Sequence, residues 1–69
     1  MFVTLWTLAG FVDVMRCELA AYPEGCALGL RMGDELILAE LWPDVQQARA
    51  RAGELRNRLL TRGWIELRG

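Results

Sequence analysis

The chain has 69 residues, of which 54% are hydrophobic and 25% are charged, and its formal net charge is −1. This composition excludes a disordered or low-complexity chain, and the length restricts residues 1–69 to a single small domain. Histidine is absent, which excludes a zinc site with Cys and His ligands and any mechanism that needs a histidine base.

The N-terminal residues 1–9 have the composition of a β-strand. Phe2 and Val3 begin a run of aromatic, aliphatic and threonine residues, and Gly10 follows it. Such residues favour strands, and an isolated glycine marks a bulge or a bend. Two arrangements stay open: a separate N-terminal strand, or the first part of a long strand that bends at Gly10.

Turn-forming residues divide the next part of the chain into three predicted strands, at about 11–21, 26–32 and 35–42. Pro23 and Gly25 suit a type I turn, and Gly33-Asp34 suits a two-residue hairpin loop. The two turns therefore predict a three-stranded antiparallel meander.

Each turn also predicts a strand register. The opposed residues are Ala21 and Cys26, Leu19 and Leu28, Cys17 and Leu30, and Met15 and Met32 across the first turn, then Leu30 and Ile37, Leu28 and Ala39, and Cys26 and Leu41 across the second. Side chains alternate between the two faces of a strand, so all of these residues share one face. That face is almost wholly apolar and is expected to form the core.

A helix is predicted over about 44–62. Asp44 suits the N-cap, and Gln47 stands where it completes a capping box. One apolar stripe follows helical spacing: Val45, Ala48, Ala52, Leu55 and Leu59. Gly63 suits the left-handed position just after the helix, and residues 64–67 suit a short extended tail.

The predicted fold class is α+β, with a three-stranded antiparallel meander packed on one C-terminal α-helix in βββα order, with or without an extra N-terminal strand. In element order and size this arrangement is similar to the βββα modules of HicB-type antitoxins and of some small phage-encoded inhibitors. We claim no family membership from this likeness, since no motif residues carry it.

One helix covers only one face of a sheet, so the alternate residues of the meander face outwards. That open face carries charges, but it also carries an apolar group that we predict to be a protein interface: Val12, Val14, Leu36, Leu38 and Trp42. An apolar patch of several hundred square ångströms marks a binding surface on a soluble protein. Three coverings are open: residues 1–9 of the same chain, a second copy of the chain, or a different protein.

Three arginines fall on one side of the predicted helix, namely Arg51, Arg58 and Arg62. Such a cluster suits an anion or an acidic partner, although an ordinary solvated face with Glu54 paired to Arg58 explains it as well. The sequence pI of about 5.3 argues against nucleic acid as the partner.

No catalytic, cofactor-binding or metal-binding residues are predicted. Cys17 and Cys26 are too far out of step on adjacent strands for a disulfide, and serine is absent. No secretory signal or membrane span is visible, so we expect a cytoplasmic protein.

The sequence thus predicts a non-catalytic protein–protein interaction module, such as an inhibitor, an adaptor or a regulatory accessory. We expect it to bind itself as a homodimer through the open sheet face and to bind another protein as well. The alternative is a small nucleic-acid-associated regulator of the antitoxin kind that uses the arginine face of the helix.

Overall fold

A computed structural model describes residues 2–67 of the chain. The elements are β1 (Phe2–Ala9), β2 (Val14–Tyr22), β3 (Gly25–Met32), β4 (Glu35–Trp42), α1 (Val45–Thr61) and β5 (Ile65–Glu66). The strands form one sheet in the order β4-β3-β2-β1-β5, and all neighbours run antiparallel. The α+β class with one C-terminal helix is confirmed, but the meander has four strands rather than three. None of the described helical residues builds a segment with the length and apolarity that a membrane crossing requires.

The N-terminal segment is a separate strand of the sheet. β1 pairs along β2, with Phe2 opposite Ala20 and Ala9 opposite Val14. Residues 2–9 therefore lie beside β2 and do not cover the open face, which rules out the first of the three coverings considered above.

The strand predicted at 11–21 begins later, at Val14. The backbone N–H of Gly10 donates to the carbonyl of Asp13 (2.8 Å), which closes a tight turn between β1 and β2. Val12 was predicted on the sheet face, and this placement is wrong: Val12 lies in the turn, where 91% of its surface is exposed.

The predicted register between β2 and β3 is confirmed, but the predicted register between β3 and β4 is wrong beyond the first pairs after the turn. Met32 pairs with Glu35 and Arg31 with Leu36, as a two-residue loop requires, but Leu30 then pairs with Leu38 instead of Ile37. A β-bulge inserts one extra residue at this point, and a shift of one residue moves every later side chain to the other face.

The bulge corrects two of the predicted interface residues. Leu38 and Trp42 lie on the helix side of the sheet, where they pack against the buried core, while Leu41 turns to the open face instead. Leu36, which precedes the bulge, and Val14 keep their predicted places on the open face.

The core lies between the sheet and α1. Its buried apolar residues are Trp6, Leu8, Met15, Cys17, Leu19, Cys26, Leu28, Leu30, Ala48 and Ala52. The two helix alanines have almost no exposed surface, which lets the helix backbone approach the sheet closely. The indole Nε1 of Trp6 donates to the carbonyl of Ala52 at 3.0 Å and joins the sheet to the middle of the helix.

Both ends of the helix are capped as the sequence predicts. Asp44 accepts a hydrogen bond from the Gln47 backbone N–H at 2.8 Å, although the Gln47 side chain donates to the other Asp44 oxygen rather than closing a capping box. At the C-terminal end, Trp64 N–H donates to Leu59 and Gly63 N–H donates to Leu60, which is the Schellman arrangement.

Two glycines in this region make a matched pair for a stability experiment. Gly63 has φ +99°, a conformation that strains any L-residue, whereas Gly53 lies inside the helix with no heavy atom near its Cβ position. We expect Gly63→Ala to lower the free energy of unfolding by about 1 kcal/mol and Gly53→Ala to raise it by about 0.5–1 kcal/mol. Urea unfolding of both variants checks this, and equal effects would contradict the cap assignment.

Candidate protein interface

The open face of the sheet is largely apolar and has no covering element among residues 2–67. Its exposed large side chains are Phe2, Val14, Tyr22, Leu36, Leu41 and Ile65. Between Phe2, Tyr22 and Leu36 lie alanines and Gly29, so that part of the face is low. A shallow groove of about 230 Å³ results, which runs from Tyr22 and Phe2 towards Leu36 and Arg31.

The charges on this face are grouped at its centre. The carboxylate of Glu18 accepts from Arg31 Nε at 2.9 Å, and Arg16 lies 3.8 Å from the other carboxylate oxygen. Glu18 is buried although it stands on an open face, while both arginine side chains remain partly exposed. A carboxylate shielded from solvent loses hydration, and the two guanidinium groups offset part of that loss.

The β1–β2 turn extends the apolar surface beyond the end of the sheet. Phe11 has 109% relative exposure, and its neighbour Val12 is almost as open. Neither side chain has a polar atom that would gain from contact with water, and no other residue among 2–67 packs on Phe11 or Val12. Two adjacent, exposed apolar side chains at a hairpin tip are candidates for the anchor of a protein interface.

A second charged cluster lies on the helix side of the sheet. Arg51 binds both carboxylate oxygens of Glu40: its Nε donates to Oε1 at 3.1 Å, and its Nη2 donates to Oε2 at 3.1 Å. Its Nη1 donates to Glu54 at 3.3 Å. The indole of Trp42 donates to the same Glu40 carboxylate at 3.1 Å. Arg51 was predicted as a contact for an anion or an acidic partner, but two carboxylates of its own chain already engage it.

The other two predicted arginines lie apart from Arg51. Arg58 and Arg62 line a shallow depression with Asn57 and Thr61 at the C-terminal end of the helix. Glu54, expected to pair with Arg58, pairs with Arg51 instead. Arg58 and Arg62 therefore share a depression that Arg51 does not line.

Both cysteines are packed into the core. Both are free, and burial, reinforced by the negative charge of Glu18, raises the pKa of Cys17 to about 11. The thiol of Cys26 donates to the backbone carbonyl of Asp44 at 3.3 Å, at the junction of β4 and α1. Within residues 2–67, no three carboxylate or thiol groups come together as a metal-binding set.

The Glu40 cluster makes stability depend on pH in a defined direction. The hydrogen bond from Arg51 lowers the pKa of Glu40 below its ordinary 4.5, so the ionised carboxylate favours the folded state. This contribution is complete above pH 4.5 and is lost as the pH falls through the lowered pKa. We expect Glu40→Gln to be less stable than wild type at neutral pH and to lose that part of the acid dependence, measured by urea unfolding across the acidic range. Parallel pH profiles would contradict the assignment.

Sequence reasoning missed several residues of this surface. Phe2 and Ile65 belong to strands that the sequence left open or reduced to a tail, and Leu41 changed face because of the bulge. Phe11 was treated as the start of a strand. Gly10 was the one local signal that could have indicated a turn before it.

Comparison of the chain with protein-family models, with curated proteins and with solved structures found no match.

Proposed function

We propose that this protein is a non-catalytic protein–protein interaction module that self-associates through the open face of its sheet. The observation that carries the proposal is the open face itself. It holds six exposed large apolar side chains, and β1, which the sequence allowed as a cover, lies in the plane of the sheet. An antiparallel sheet that faces water on one side normally alternates apolar and polar residues, whereas β4 carries large apolar residues on both of its faces.

The size of the chain supports a second copy as the partner. A domain of this length gains only about 3–5 kcal/mol from a single core, and association is a common way to add to it. A standard interface takes about 800 Å² from each partner. That is roughly one sixth of the 4950 Å² that this chain exposes, so a single face can supply most of it.

The charges support an apolar rather than a phosphate-driven interaction. The open face carries two arginines that Glu18 partly neutralises, and Arg51 on the helix is held by Glu40 and Glu54. A nucleic-acid-binding surface needs several unpaired cations along one groove. As an inhibitor, adaptor or accessory, the module would act by occupying a surface on another protein.

Analytical ultracentrifugation over a concentration series tests the proposal. We expect a species of about twice the 7.8 kDa chain mass at micromolar concentration, with a dissociation constant that changes little between about 50 and 200 mM salt. A monomer throughout the series would overturn the proposal. Steep weakening with salt would instead mean that charged groups, rather than the apolar side chains of the open face, hold the two copies together.

A further inference from the structure

The hairpin tip and the aromatic end of the open face lie at opposite ends of the same two strands. The tip, Phe11 and Val12, follows the end of β1. At the far end of these strands, Phe2 stands opposite Ala20, and Tyr22 ends β2. The nine residues from the tip to Tyr22 span about 30 Å at the usual rise of a strand.

Both features are apolar, and in a single copy both leave apolar surface exposed to water. The tip projects two side chains into solvent, and the far end of the face is a hollow bordered by Phe2 and Tyr22 with alanines at its floor. One feature is convex and the other concave. A second copy turned end over end brings the convex tip of each chain onto the concave end of the other.

The charges at the centre of the face fit the same orientation. Arg16 lies one residue towards the tip from Cys17, and Glu18 lies one residue towards the far end. Consider a two-fold axis that passes over β2 between these two residues, parallel to the sheet and perpendicular to its strands. Rotation about this axis sets Arg16 of each copy opposite Glu18 of the other. The same axis sets each tip over the far end of the partner's β1 and β2.

The area of the face also favours inclusion of the tip. Four long strands about 4.8 Å apart and eight residues long present about 500 Å² in projection. This falls short of the roughly 800 Å² that each partner gives to a standard interface. A buried phenylalanine supplies about 150–250 Å², which makes up most of the difference.

We propose that the occupant of the open face is a second copy of this chain, packed antiparallel about that axis. The Phe11–Val12 tip of each copy then fills the hollow between Phe2 and Tyr22 of the other. This inference rests on the proposed self-association and adds its geometry. Because the contact is isologous, each dimer contains it twice.

A pair of variants tests the geometry by complementation. Phe11→Ser removes the anchor from a fully exposed position, so it leaves the fold intact, and Ala20→Arg fills the hollow. We expect each variant alone to dimerise at least tenfold more weakly than wild type, because neither homodimer retains an intact tip-to-hollow contact. A mixture of the two retains one such contact, and we expect native mass spectrometry to show the heterodimer in excess over both homodimers. Val3→Ser, a change at a half-exposed residue on the helix side of β1, is the control and should dimerise as wild type does.

The outcomes separate this inference from the proposal on which it rests. If wild type is a monomer, both fall. If wild type dimerises and Phe11→Ser dimerises equally well, the tip is not an anchor and the geometry is overturned, while self-association stands. If Ala20→Arg loses its circular dichroism spectrum, Phe11→Ser alone decides the question.

Discussion

Replacement of Trp6 by alanine is expected to unfold the domain under conditions in which the wild type is fully folded. Trp6 is only 7% exposed and lies between the sheet and α1, where its indole donates to the Ala52 carbonyl. Truncation of a buried tryptophan costs about 3–5 kcal/mol. A single core in a domain of this size supplies about the same amount, so little stability remains.

Trp6→Phe is the matched control, since it keeps most of the apolar volume and removes the hydrogen bond. We expect it to remain folded and to lose about 1–2 kcal/mol, which urea unfolding followed by far-ultraviolet circular dichroism measures. If Trp6→Ala melted within a few degrees of wild type, the contact between β1 and the helix would not be the one that holds the layers together.

The parts of the fold that sequence reasoning predicted correctly are specified by neighbours in the chain. Asp44 and Gly63 bound the helix through local effects: the Asp44 carboxylate accepts from a backbone N–H three residues on, and Gly63, which has no Cβ, adopts a positive φ without strain. The β2–β3 register follows from one short turn with no irregularity in either strand. Such signals are local, so a single sequence contains them in full.

The face of β4 could not be predicted in the same way because distant residues decide it. Without the bulge, Trp42 and Glu40 would point to the open face. Trp42 would then lose its packing against the core, and Glu40 would lose its ion pair with Arg51. Burying a tryptophan and forming a bidentate ion pair favour the shifted register. Neither the core residues that pack on Trp42 nor Arg51 lies near the turn from which the register was predicted.

In the candidate interface too, the local sequence predicted some residues correctly, and distant contacts decided the others. Alternation along β2 and β3 placed Val14 on the open face correctly, because period-two patterning needs only the strand itself. The tail, by contrast, becomes a strand only because the Schellman turn at Gly63 returns the chain to β1, where Ile65 pairs with Ala9. Its contribution to the open face depends on that tertiary pairing.

Leu36→Asp is expected to abolish self-association while leaving the monomer folded. Leu36 lies on the open face and borders the groove, with 50% of its surface exposed, so little of it belongs to the core. In the proposed dimer this surface loses its water. The facing cation, Arg31, is already bound to Glu18, so a carboxylate placed at position 36 would be desolvated without a partner of its own. That penalty amounts to several kcal/mol, which corresponds to at least a hundredfold weaker dimer.

The neighbouring residue Ile37 provides the control, because it has similar exposure (43%) but lies on the helix side of the sheet. Arg58 and Arg62 line the same depression as Ile37, so an aspartate there has cations close to it. We expect Ile37→Asp to destabilise the monomer moderately and still to dimerise, and Leu36→Asp to show the reverse, by ultracentrifugation and urea unfolding in parallel. The opposite pattern would mean that the copies meet through the helix side, and equal dimerisation of both variants would place the contact away from this end of β4.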